Sequence, residues 1–437
     1  VQTVQTKQNV TPDLLTNAQK RVDLKGKRRG LSLILMMIGP GLLAMIGDND
    51  SGGVVSYAAT GMHFGWALFL PMVLLLAPVT YTIQEMTMRL GLVSQRPFPV
   101  LVFRRFGRVW GYFSLATLLA ENVLTLMTEF IGMSVGLSIL GVPFAEADLI
   151  SLVLVAVFAL VGKYWTKERL ALLVGALNVV FIIVAWQARP DVHSLSQVWQ
   201  TMQLTKGAFN IWLFYSIATI GNAVAPWMIF FQGSAAIDKG MNHTDLKYGR
   251  LDTALGSLVQ AVLAAGIIIC GGTLHSYSVL HPQVLTQPIA MLHGFLVNNG
   301  AWVRDLFAIG LFNAGFLAAI TISLSTSWTF AGVFGWAKSL DDRLREAPKF
   351  YGMYMGGLLV ASLLVLIPHL PLTLLAVLTQ VIAGVLMIPL LYFLTTLTSD
   401  PVLMGKYRNS RLTRIRAWSI AVVITALSVW LLVHLLQ

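Results

Sequence analysis

The sequence predicts an all-α polytopic membrane protein whose eleven spans form a five-plus-five inverted repeat, with spans 1 and 6 broken. Three observations carry this. Of 437 residues, 56% are hydrophobic and only 11% charged, against about a quarter charged in soluble domains. Counting each long apolar run as a crossing puts 27 of the 30 Lys and Arg on one side. Two of the runs are interrupted by glycine, proline and polar residues, about 175 positions apart.

Residues 1–30, ending in KRVDLKGKRRG, hold seven Lys and Arg. They lack the apolar core and small-residue cleavage site of a secretory signal, and read as a basic cytosolic arm. Residues 31–437 then form one transmembrane domain, with repeat one over 31–187, repeat two over 208–398 and an additional helix over 413–435. The spans of repeat one are 31–62 (broken), 66–89, 109–141, 147–162 and 169–187. Those of repeat two are 208–237 (broken), 252–275, 302–336, 351–368 and 371–398. Cationic loops such as RFGR, KYWTKER and KYRNSRLTRIR follow the even-numbered spans, leaving only Arg189, Lys206 and Arg304 for the other side. By the positive-inside rule the N-terminus is cytoplasmic and the C-terminus opposite, in a plasma membrane. The net charge of +11 therefore reports topology in a lipid bilayer and not a nucleic-acid partner, and no obligate protein partner is evident. Cys270 is the only cysteine, which excludes an internal disulfide framework.

The first interruption is Gly47-Asp48-Asn49-Asp50-Ser51-Gly52-Gly53 and the second contains Gly221, Asn222 and Pro226. On an intact helix, at about 100° per residue, Asp48 and Asp50 would point roughly 200° apart, and one would face lipid. A charged side chain at mid-bilayer costs roughly 2.5–3.5 kcal/mol even on the lenient insertion scale, and unwound backbone is tolerated only inside protein or along a cavity. A bound cation offsets both costs. Glycine opens backbone angles closed to other residues and Pro226 stops the preceding turn from continuing, which frees carbonyls. The expected site has carboxylate oxygen from Asp50 and Asp48, amide oxygen from Asn49 or Asn222, and carbonyls around Gly47 and Ala225. These are hard ligands, suited to Mg²⁺, Ca²⁺ or Mn²⁺ as cargo, with no cofactor.

GPGLLAMIGDNDSGG in span 1, TEFIG in span 3, GNAVAPWMIFFQGS in span 6 and TSDPVLMGKYRN after span 10 resemble the natural resistance-associated macrophage protein (Nramp) family of divalent-metal transporters. The resemblance runs along most of residues 31–435 and implies the LeuT-type fold, alternating access and a metal site between the two broken spans. The family's Asp-Pro-Gly-Asn motif falls on Asp50-Ser51-Gly52-Gly53, keeping the metal-binding Asp and replacing the Asn by Gly53. Its Met-Pro-His motif falls on Ala225-Pro226-Trp227, so the thioether is absent. Soft sulfur favours Mn²⁺, Fe²⁺ or Cd²⁺ over Mg²⁺. Its loss leaves room for water, and Mg²⁺ retains several waters. The pattern is most similar to the Nramp-related magnesium transporter branch, with an aluminium-transporting branch sharing the missing methionine.

The family's proton route uses a His and an Asp that fall here on Trp227 and Leu126, while its span 3 Glu is retained as Glu129 and its span 10 Gln as Gln380. Transport of Mg²⁺, and of Mn²⁺, without obligatory proton coupling is the expectation; two charges crossing 100 mV gain about 4.6 kcal/mol. A proton-coupled Mn²⁺/Fe²⁺ importer is the alternative. An amino-acid/sodium symporter of the same fold is disfavoured, because acidic residues in the span 1 break repel a substrate carboxylate. An intramembrane aspartyl protease, an enzyme, needs two aspartates on different helices. Glu85 and Arg89 read as a structural ion pair, Glu121 as a residue of an aqueous vestibule, Asn313 as satisfying neighbouring helix backbones, and His275, His281 and His293 as part of a solvated outer loop.

Overall fold

The computed structural model describes residues 36–160, 163–187, 206–337 and 339–435. Helix is the only regular structure among them. The basic arm and Arg189 lie outside the described residues. The helices are α1 (Pro40–Asp48), α2 (Ser51–Phe64), α3 (Trp66–Ser94), α4 (Phe98–Phe106), α5 (Arg108–Ser138), α6 (Phe144–Leu160), α7 (Tyr164–Ala176), α8 (Val179–Gln187) and α9 (Lys206–Ala223). There follow α10 (Pro226–Asp238), α11 (Leu246–Gly272), α12 (His275–Leu280), α13 (Pro288–Asn299), α14 (Ala301–Phe334), α15 (Pro348–Val365), α16 (Leu372–Ser399), α17 (Pro401–Met404) and α18 (Arg411–Leu435).

Among the described residues, nine helical spans are each long and apolar enough to cross a membrane. The other two sequence spans are the first, split into pieces of 9 and 14 residues, and the fourth, where α6 has 17 residues. Two loops of the sequence reading are partly helical. Arg104 and Arg105 sit in α4, and the histidine loop contains α12 and α13, with His275 Nδ1 2.7 Å from the Met62 carbonyl oxygen. Of these, α4 and α13 start with proline at the first or second helical position, where the missing N–H costs nothing.

The breaks are narrower than expected. Only Asn49 and Asp50 separate α1 from α2, and only Val224 and Ala225 separate α9 from α10. Gly47, Gly52, Gly53, Gly221 and Asn222 are helical, and none of the four glycines takes a positive φ. They serve close approach instead. A Cβ at Gly221 would overlap the Gln380 carbonyl oxygen of α16, and one at Gly53 would overlap the Asn222 amide. Gly221→Ala is therefore expected to destabilise the protein by about 1–3 kcal/mol, read as a lower thermal midpoint in detergent, because backbone cannot yield as a side chain can.

The packing places both breaks in the interior. The two pieces of span 1 lie on α11, α10 lies on α3, α9 on α16, and α5 along α14. Large apolar side chains that remain exposed, such as Val153 and Val157 of α6 and Val422 and Val429 of α18, form the surface a bilayer would cover.

Two polar networks anchor α1. Asp252 of α11 accepts from the backbone N–H groups of Gly39, Gly41 and Leu42 at 3.0, 2.6 and 3.1 Å, capping the helix where its unpaired donors and positive end attract a carboxylate. Lys239, just after α10, pairs with Glu168 of α7 at 2.9 Å and donates to the Ile38 carbonyl at 2.9 Å. Both charged groups are buried. Elsewhere Glu85 does pair with Arg89, at 3.0 Å, and it also takes Arg250 at 2.9 Å. Asn313 donates to Asn178 Oδ1 at 2.5 Å, a side-chain partner and not the neighbouring backbone expected of it. Cys270 is a free, buried thiol.

Candidate metal centre

Asp50 is the N-cap of α2, its Oδ1 accepting from the Gly53 N–H at 2.5 Å. Glu129, from the middle of α5, accepts from the Ser51 N–H at 2.8 Å. Two carboxylates thus meet the N-terminus of one half-helix, where the aligned peptide dipoles favour negative charge. Gln380 of α16 reaches Asp50 Oδ1 from 3.4 Å, a long contact. Its amide nitrogen and the Thr128 hydroxyl also line the space beside Gly52.

Asp48 has the opposite setting. It ends α1, where exposed carbonyls and the negative pole of the half-helix disfavour a carboxylate. One carboxylate oxygen accepts from Gln260 Nε2; the other, buried, has no hydrogen-bond partner among the described residues. Gln260 also donates to the Ala223 carbonyl at 2.9 Å, and its own carbonyl accepts from Asn49 Nδ2 at 3.2 Å. One residue of α11 therefore ties the last turn of α1 to the last turn of α9.

Several buried oxygens at the breaks lack a hydrogen-bond partner among the described residues: Asp48 Oδ1, Asn49 Oδ1, Asn222 Oδ1 and Gln260 Oε1. Each such group costs about 1–3 kcal/mol unless water or an ion satisfies it. The Ala225 carbonyl accepts from the Met228 N–H at 3.2 Å, and the Ala223 carbonyl from both Thr80 and Gln260, so the second break frees fewer carbonyls than the sequence suggested. Gly47 packs against Thr321 and Trp227. Pro226 starts α10, with Ala225 as its N-cap.

Leu126 and Trp227, the positions of the proton route in the resemblance, are buried. Leu126 lies against Gly357 of α15. Glu121 is also buried, not in an aqueous vestibule, because α5 turns that face to the interior; Thr125 donates to its Oε1 at 3.1 Å, and its Oε2 has no partner among the described residues. Gln260 was not read from the sequence, where its only sign is a lone amide in the apolar run of span 7; nor was Asp252, taken only as the start of that span. Among the described residues no three or more His, Cys, Asp and Glu form a metal-holding group. The available donors are carboxylate, amide and backbone oxygen, a set that suits a hard cation keeping part of its water.

Comparisons with known proteins agree with this architecture. The chain is 25% identical to the divalent metal cation transporter MntH of Deinococcus radiodurans, over 97% of this chain and 96% of that protein. It is 27% identical to MntH 1 of Pseudomonas aeruginosa, over 92% of each. In structure it resembles the Eremococcus coleocola manganese transporter crystallised with an aromatic bis-isothiourea compound, with a TM-score of 0.72 at 18% identity, over 92% of this chain and 87% of that one. It also resembles MhsT in complex with L-phenylalanine, with a TM-score of 0.61 at 14% identity, over 90% and 97% of the two chains. The fold is thus the LeuT type. A profile described as natural resistance-associated macrophage protein-like matches residues 41–434, nearly the whole described helical domain with both of its breaks, and the chain belongs to the Nramp family.

Proposed function

We propose that the protein is a carrier, not an enzyme, that takes up divalent cations by alternating access, with Mg²⁺ as preferred cargo and Mn²⁺ also carried. The ion passes partly hydrated and without obligatory proton coupling. Relatives named as divalent metal cation transporters support the general class. The observation that carries the Mg²⁺ reading is the donor set: buried oxygens at the two breaks without hydrogen-bond partners among the described residues, and Ala225 where the family has a thioether. Side chains that cannot carry a proton at Leu126 and Trp227 support uncoupled transport. The same proposal takes eleven spans in two inverted repeats, a plasma-membrane location and a cytoplasmic N-terminus.

A proton-coupled Mn²⁺/Fe²⁺ importer is the second reading, favoured by the buried carboxyls Glu121 and Glu129 on α5. Proteoliposomes carrying a metal dye and a pH dye separate the two. Mg²⁺ influx without proton influx is expected, with Mn²⁺ competing. Ala225→Met is expected to favour Mn²⁺ over Mg²⁺ by about tenfold, since thioether sulfur prefers the softer ion. Proton-coupled Mn²⁺ entry with no Mg²⁺ influx would replace this reading by the second.

A further inference from the structure

On the face that carries the cationic loops, a cavity of about 560 Å³ opens between α3, α11 and the start of α18. Arg89, Arg250, Lys406, Arg408 and Arg416 line it, against one carboxylate, Glu85. Arg89 and Arg250 share that carboxylate, whereas Lys406, Arg408 and Arg416 have no acidic partner among the described residues. The cavity is held in shape from behind. Buried Arg89 donates to the Tyr407 carbonyl at 2.5 Å and to Asn409 Oδ1 at 2.7 Å, fixing the chain between α17 and α18 against α3. Ser410 Oγ accepts from the Thr413 N–H at 3.1 Å, so the positive end of the 25-residue α18 also faces this region.

We propose that this cavity binds the phosphate head group of an anionic phospholipid. Cations without an acidic partner among the described residues, hydroxyls and a helix N-terminus form a site for a phosphate-bearing anion. What favours a lipid over a free phosphate is the neighbouring surface: Leu412, Ile415 and Trp418 of α18 are exposed beside the lining residues Thr413 and Arg416. Acyl chains lie along that stripe while the head group enters the cavity. Basic pockets between membrane helices on the cytoplasmic side have this recognition chemistry.

The test is native mass spectrometry of the full chain in detergent with phosphatidylglycerol or phosphatidylcholine. Three proteins are compared: the unchanged chain, R408Q/R416Q in the cavity, and R343Q/R345Q, which removes the same charge from exposed positions in the loop before α15. Retention of phosphatidylglycerol over phosphatidylcholine is expected, about thirtyfold weaker in R408Q/R416Q and unchanged in R343Q/R345Q, since each cation near a membrane surface contributes about a fivefold preference. Arg408 and Arg416 are exposed, and their replacement leaves the Arg89 bonds intact. Equal losses in both variants, or no preference between the lipids, would overturn the proposal. Complete release by millimolar inorganic phosphate would overturn the lipid assignment and make the cavity a soluble-anion site.

Discussion

Asp50→Ala is expected to abolish divalent-cation uptake, by at least about a hundredfold, since even the outer partners of metal ligands cost 10–100-fold when lost. The residue has two roles. Its carboxylate caps α2 through the Gly53 N–H, and its charge sits at the break beside Gln380. Alanine removes both, and loss of the cap alone costs about 0.5–2 kcal/mol. Asp50→Asn separates them, because asparagine is an equally good N-cap but has no charge. The Asn variant should keep the parental thermal midpoint in detergent and still fail in proteoliposome uptake of Mg²⁺ and Mn²⁺. Near-normal flux through Asp50→Asn would remove this carboxylate from the ion site and leave it a cap.

Lys239→Ala is expected to produce the largest loss of stability, about 3–5 kcal/mol, because it strands the buried Glu168 carboxylate without its cation. The Ile38 carbonyl loses its donor as well. In Lys239→Met/Glu168→Gln most of that loss should return, since a buried pair replaced as a unit is often neutral. The bond from Lys239 to the Ile38 carbonyl should not return, which leaves the start of α1 to the Asp252 cap and is expected to loosen it. A cysteine introduced by Leu43→Cys, in the otherwise single-cysteine chain, reads this directly. Thiol labelling should be slow in the parent and several-fold faster in the double variant. Equal labelling rates would mean that Asp252, which caps α1 independently, suffices to hold it.

The positions of both interruptions were legible in the sequence, and so were the two carboxylates within the first. Glycine and proline inside an apolar run, and charge where lipid should be, are visible one residue at a time. The purpose of the glycines was misread. They were expected to supply unusual backbone angles, but Gly53 and Gly221 keep ordinary helical backbone and instead give room to Asn222 and Gln380. Nothing in the local sequence distinguishes these uses, because the atoms that would clash belong to other spans. Glu129 was legible as a buried carboxyl but not as the acceptor for Ser51, 78 residues away.

The sequence by itself determined the membrane class, the alternation of cationic loops and the two places where a span must unwind. Each follows from the cost of putting a given residue in hydrocarbon, a cost incurred locally. Only the tertiary structure decided that Gln260 joins Asp48, Asn49 and Ala223, that Asp252 caps a helix 211 residues earlier in sequence, and that Glu121 is enclosed. Hydrogen-bond geometry and unmet donors and acceptors depend on which helix faces come together. Hydropathy determines that the helices are in the membrane, and the packing of small residues at their crossings determines which polar atoms meet.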